Sequence, residues 1–167
     1  MGGAGLRGQS AGETSICTVG VTGSGLTYRG YDVVDLAENT TFEEVAYLLL
    51  HEKLPNSKEL KDYIEKLKSL RGLQPELRSA LEGIPKTAHP MDVLRTGCSV
   101  LGNLEKEEGF LNQTDHANRM LSAFPSILSY WYQFSHHGKR IDTETNDDTI
   151  GGHFLHLLHG QKASELH

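Results

Sequence analysis

Nine histidines among 167 residues make metal binding the first chemistry to consider. Three of them, His153, His156 and His159, sit in Gly-Gly-His-Phe-Leu-His-Leu-Leu-His-Gly at spacings of three. Each such step turns a helical side chain by about 300°, so the first and third diverge by about 120° and converge poorly on one ion. No Glu stands between two of them as in a His-Glu-x-x-His site. Phe154, Leu155, Leu157 and Leu158 make the segment a packed helix with amphipathic histidines, and the expected metal complement is none. His136 and His137 precede Gly138-Lys139-Arg140, where positive charge complements a helix C-terminus. His89, before Pro90, stands at a helix entrance and suits a hydrogen bond to backbone at the turn. Cys17 and Cys98 lack Cys-x-x-Cys spacing, and neither has a histidine nearby in sequence to serve as a base. Asp147-Asp148 reads as the acidic start of the helix that follows. Gly20, Gly23 and Gly25 resemble a phosphate-cradling loop only loosely, because no Lys-Ser/Thr pair follows them. Spacing alone assembles no catalytic constellation.

Composition narrows the classes. The chain is about one domain long, with 37% hydrophobic residues and a formal net charge of −6. Acidic and basic residues are interspersed, so the basic stripe of a nucleic-acid binder is missing. No apolar run is long enough for a bilayer span, and Met1–Ser15 has no secretory hydrophobic core. Two cysteines support no disulfide framework and fit a reducing compartment. A cytoplasmic protein without nucleic-acid or membrane partners is expected.

The elements that would position side chains are nearly all helical. Residues 1–15, rich in Gly, Ser and Ala, read as a flexible tail, and residues 16–167 as one domain. Ile16–Val19 and Leu26–Arg29 read as a small hairpin with a long glycine-rich turn. Thr41 and Glu44 have capping-box spacing ahead of a helix stopped by Pro55. Ser57 is the expected cap of the next helix, whose stripe is Leu60, Tyr63, Ile64, Leu67 and Leu70 and whose end is Gly72. A short helix starts at Pro75, and Gly83-Ile84-Pro85 ends it. Pro90 opens another, with Met91, Leu94, Cys98 and Leu101 on one stripe and with Gly97, Ser99 and Gly102 small enough for close helix approach. Thr114 is the expected cap of the longest helix, apolar through Met120, Leu121, Phe124, Ile127, Leu128, Trp131, Tyr132 and Phe134 and kinked at Pro125. The last helix runs from Gly151 to His159 and closes on Gly160.

Six strings in register resemble the citrate synthase family, most closely its 2-methylcitrate synthase branch. They are Ala4–Gly8, Leu26–Asp32, Phe42–Leu49 through Leu54-Pro55, His89–Thr96, Tyr130–Tyr132 and Gly151–His156; Asp147–Phe154 carries the branch. The resemblance implies an all-α fold: the N-terminal part of the large helical domain of a citrate synthase-like fold, with a small N-terminal β-hairpin. It implies an acyltransferase that condenses propionyl-CoA or acetyl-CoA with oxaloacetate and hydrolyses the thioester. A carboxylate removes the proton beside the thioester, one histidine donates to the developing enol, and a second polarises the ketone. No cofactor is implied, the CoA thioester being a substrate. A homodimer is implied too, with Gly97, Ser99, Gly102 and the helix over 115–137 suited to pack against a mate.

The sequence departs from that family in length. The family's His-Gly-Gly-Ala-Asn-Glu and Gly-His-x-Val-Tyr strings do not occur here, and Gly151-Gly152-His153 is not the first of them. No catalytic residue is therefore assigned in these 167 residues, and the chain is expected to be inactive by itself and prone to associate. Two binding positions follow from the resemblance. Arg7 aligns with an arginine that contacts CoA phosphate, a task suited to a guanidinium, with a mobile tail arginine as the competing reading. Lys68, eight residues past Leu60, matches a basic position that approaches anionic substrate, with a solvated helix face as the competing reading. A self-standing helical interaction module and a histidine-rich metal-binding domain are the readings from other classes.

Overall fold

The computed structural model describes residues 12–20, 25–106, 109–162 and 164. They form two compact units that meet in sequence at Leu54 and Pro55.

The first unit is a small antiparallel meander followed by two helices. Strands β1 (Cys17–Thr18), β2 (Thr27–Tyr28) and β3 (Tyr31–Asp32) pair in order, with Cys17 opposite Tyr28 and Thr27 opposite Asp32. The expected hairpin is therefore three-stranded. Arg29 and Gly30 take φ of 49° and 89°, and two left-handed residues close a two-residue hairpin whose twist matches its strands. Helix α1 (Val33–Asn39) starts directly after β3, because Asp32 caps it by accepting from the Val34 backbone at 2.8 Å. Helix α2 (Phe42–His51) opens on the expected box, with Thr41 and Glu44 reciprocally bonded. It ends before Pro55, at Glu52 with φ of 67°. Arg29 then ties the meander to that end, donating to the Leu49 carbonyl at 3.0 Å and pairing with Glu52 at 3.2 Å. The glycine-rich turn at 21–24 lies outside the described residues.

The second unit holds α3 (Ser57–Ser69), α4 (Pro75–Glu82), α5 (Pro90–Leu104), a short 3₁₀ turn (Gly109–Asn112), α6 (Gln113–His137) and α7 (Ile150–His159). Asn56, not Ser57, caps α3, its side chain accepting from Lys58 and Glu59 while Glu59 reaches back. Gly72 does not close α3, which ends on Leu70; a β-carbon there would meet Glu144 Oε1 at 2.7 Å. Thr114 lies inside α6, whose first turn follows directly from the 3₁₀ turn at Asn112. Helix α6 is continuous through Pro125.

Helix α6 packs against α3, α4, α5 and α7. Leu77, Leu81, Val93, Leu101, Ala123, Ile127, Tyr130 and Trp131 form the core between α4, α5 and α6. The α5 stripe is turned from the expected one: Val93, Gly97 and Leu101 are buried, while Met91 is 64% exposed. Gly97 sets that rotation, since a β-carbon there would stand 2.6 Å from Ile127 Cγ2. Gly102 meets nothing within 4 Å and Ser99 is exposed, so of the three small residues Gly97 alone serves this crossing. On α6, Asn118, Ser122, Ser126, Ser129 and Gln133 are buried with the apolar core, whereas Met120 is exposed and Leu121, Phe124, Leu128 and Phe134 are partly exposed.

Candidate functional site

A buried polar cluster lies where the end of α3, the middle of α6 and the segment entering α7 converge. Its backbone is the connection 143–149, which has no regular structure and must find partners for its polar groups elsewhere. Arg71, two residues past α3 and 1% exposed, donates Nη1 to the Thr145 carbonyl at 2.7 Å and Nη2 to the Thr149 carbonyl at 3.4 Å. Thr149 caps α7, its hydroxyl accepting from the Gly152 backbone at 2.9 Å. At the other end of α7, Gln133 donates to the Leu157 and Leu158 carbonyls, satisfying acceptors the helix leaves open.

His153 is fully buried between two hydroxyls, with Nε2 3.1 Å from Ser126 Oγ and Nδ1 3.0 Å from Thr145 Oγ1. Burial, and secondarily the Arg71 charge, hold it neutral with a pKa of about 4. Thr145 also donates to Asp147. Its oxygen therefore accepts from His153 Nδ1, and Nε2 accepts the Ser126 proton. Asp147 is buried as well. Burial alone would raise its pKa, but the hydrogen bonds from Thr145 and His156 outweigh that and hold the carboxyl below its usual value. His156 Nδ1 stands 2.6 Å from Asp147 Oδ2. Asp147 is thus an internal partner of α7, not the simple acidic start expected of it, whereas Asp148 faces Lys68.

Lys68 occupies the last turn of α3 with 16% of its side chain exposed. Its ammonium lies 2.5 Å from Asp148 and 2.9 Å from Glu65, and these carboxylates, Asp148 first, raise its pKa against the cost of burial. The charge expected to face substrate is therefore compensated within the chain. Arg7 lies outside the described residues. His89 caps α5, its Nδ1 accepting from the Met91 backbone at 3.2 Å, as its place before Pro90 implies. His136 stacks on Tyr132 in the last turn of α6, which Gly138 closes at φ of 64°.

This arrangement holds more than it reacts. Both ring nitrogens of His153 are engaged, and the second nitrogen of His156 carries no hydrogen bond to a nucleophile among the described residues. No group of three or more His, Cys, Asp or Glu is placed to share a metal ion among those residues. Arg71, Ser126 and Thr145 carry no local signal in the sequence. Their partners lie up to 78 residues away, and only the packing of α3, α6 and α7 brings them together.

Residues 5–167 match the family profile described as citrate synthase, C-terminal domain. A protein named 2-methylcitrate synthase from Shewanella oneidensis is 67% identical over 165 residues, 99% of this chain and 44% of that protein. 2-Methylcitrate synthase 2 of Corynebacterium glutamicum is 40% identical over 129 residues, 75% of this chain and 33% of that protein. Among solved structures, a citrate synthase from Thermotoga maritima superposes with a TM-score of 0.77 at 34% identity, covering 95% of this chain and 42% of that one. The chain thus spans less than half the length of each of these relatives.

Proposed function

Because the chain belongs to the citrate synthase family, we propose that it is the N-terminal portion of the large helical domain of a cytoplasmic 2-methylcitrate synthase. The carrying observation is 67% identity, over 99% of the chain, to a protein of that name. The reaction joins the α-carbon of propionyl-CoA to the ketone carbon of oxaloacetate. Water then cleaves the thioester to release 2-methylcitrate and CoA, a step in propionate catabolism. Acetyl-CoA in place of propionyl-CoA gives citrate. One methylene in an apolar pocket discriminates by about 1–3 kcal/mol.

In this reading the proton-transferring and enol-stabilising groups come from polypeptide beyond these 167 residues, and this chain supplies scaffold. Arg7 is the proposed contact to CoA phosphate. Lys68 is the proposed contact to an anionic substrate, which it reaches by giving up Asp148. A homodimer is part of the proposal. Its support is the partly exposed apolar side of α6 and α7, where Pro90, Leu128, Trp131, Tyr132, Phe154 and Leu158 line a recess of about 120 Å³.

The test is release of CoA thiol from propionyl-CoA and oxaloacetate. The expected result is no turnover by the 167 residues alone. A longer chain that contains them and the family's histidine and aspartate motifs turns over, faster with propionyl-CoA than with acetyl-CoA. Turnover by the 167 residues alone overturns the scaffold reading, and preference for acetyl-CoA overturns the branch.

A further inference from the structure

A second recess, of about 420 Å³, opens between α4, α6 and the segment after α6. Arg78, Ser79, Glu82, Tyr130, Arg140 and Asp142 line it. Arg78 and Glu82 are one helical turn apart, the spacing at which Arg and Glu ordinarily pair. They do not pair here. Glu82 Oε1 accepts from Tyr130 Oη at 2.7 Å, and both its oxygens accept from the Arg140 fork at 2.7 and 2.8 Å. Those partners, Arg140 before Tyr130, hold the carboxyl at a pKa of about 2, so it stays ionised and engaged.

Arg78 is left with the Tyr130 ring, its Cζ 5.6 Å from the ring centroid. Its Nε is sealed from solvent and donates to nothing among the described residues. A partly desolvated guanidinium without an acceptor leaves donors unsatisfied, and its Nη edge is where an acceptor can reach it. The contact with the Tyr130 ring and the buried Nε restrict the side chain in advance, so binding there loses less side-chain freedom. The Ser79 hydroxyl on the same wall carries no hydrogen bond among the described residues, which leaves it free to donate.

We propose that this recess binds a small organic monocarboxylate, held by the Arg78 fork and the Ser79 hydroxyl. Charge selects the class. Arg140 and Glu82 cancel as a pair, and Asp142, which caps the Glu144 backbone at 3.0 Å, adds a negative rim. The Arg78 fork, which has no acid partner, therefore takes one carboxylate at most, and the second charge of a phosphate dianion is opposed by Asp142. The body of the ligand lies against Pro75 and Ile141, which complete the lining.

The test is titration of the 167-residue chain with butyrate, followed by the Arg78 Nε–Hε NMR resonance, with inorganic phosphate as a separate arm. Butyrate is expected to shift that resonance saturably, and phosphate to bind at least about tenfold more weakly. Arg78→Lys, which keeps the charge and loses the fork, should weaken butyrate about tenfold as followed by backbone amides of α4. Arg95→Ala, at an exposed site on α5, should change nothing. Ser79→Asp places a carboxylate on the rim with Arg78 intact, and should abolish binding while helical circular dichroism is unchanged. Unsaturable shifts, equal binding by the folded Ser79→Asp variant, or phosphate binding as tightly as butyrate would each overturn the proposal.

Discussion

His153 shows how far a single side chain can depart from what its neighbours in sequence announce. In sequence it belongs to a trio of histidines with apolar companions. In the fold it is sealed between Ser126 and Thr145, while His156 faces Asp147. Its folded pKa of about 4 lies below the ordinary value of 6.5, so between those limits the unfolded chain binds the proton and the folded one does not. Its contribution is therefore complete above about pH 6.5 and lost as the pH falls toward about 4. Urea midpoints measured across that window should fall with pH more steeply for the native chain than for His153→Gln, which keeps a donor and an acceptor but does not titrate. Parallel slopes would show that the buried ring is not the titrating group. Chain spacing argues only about how His153 and His159 face one another along a helix. It says nothing of the hydroxyls that claim His153, because Ser126 is 27 residues away.

At the scale of elements, the local signals carry most of the helix map. Pro75, Pro90 and the Thr41–Glu44 box stand where helices begin, and Gly83, Gly138 and Gly160 where they end. Errors fall where two residues compete for one role. Asn56 takes the cap from Ser57 because its side-chain amide oxygen reaches two backbone donors, and α1 forms because Asp32 offers a cap just ahead of Val33. The crossing of α5 over α6 is decided by Gly97, although alanine is the better helix former by about 1 kcal/mol. Gly97→Ala should nonetheless destabilise by about 1–3 kcal/mol, because the buried Ile127 side chain must move. Gly72→Ala should be close to neutral, since the atom it meets is the free end of Glu144. Denaturant midpoints of the two variants, compared at equal m-value, check both; a Gly97→Ala protein as stable as the parent would place the tight contact elsewhere.

For the whole molecule, the exposed apolar side chains matter most. Val19, Val34 and Phe42 in the first unit and Met91 in the second are each more than half exposed, and α6 and α7 leave further apolar surface partly open. Surface of that kind is covered by other polypeptide or drives association. Sedimentation velocity of the 167-residue chain should therefore show species heavier than 18.4 kDa, and a single monomeric boundary at all concentrations would count against the proposed dimer. The sequence by itself determined the all-helical class, the positions of most helix ends and the family, since caps, prolines and ordered strings of residues act within a few positions of one another. The tertiary structure alone decided which helix faces are buried. It also decided that Lys68 is held by Asp148, and that Glu82 goes to Arg140 and leaves Arg78 without an acid. Each of those pairings competes with another of similar local spacing, and only packing across dozens of residues selects the winner.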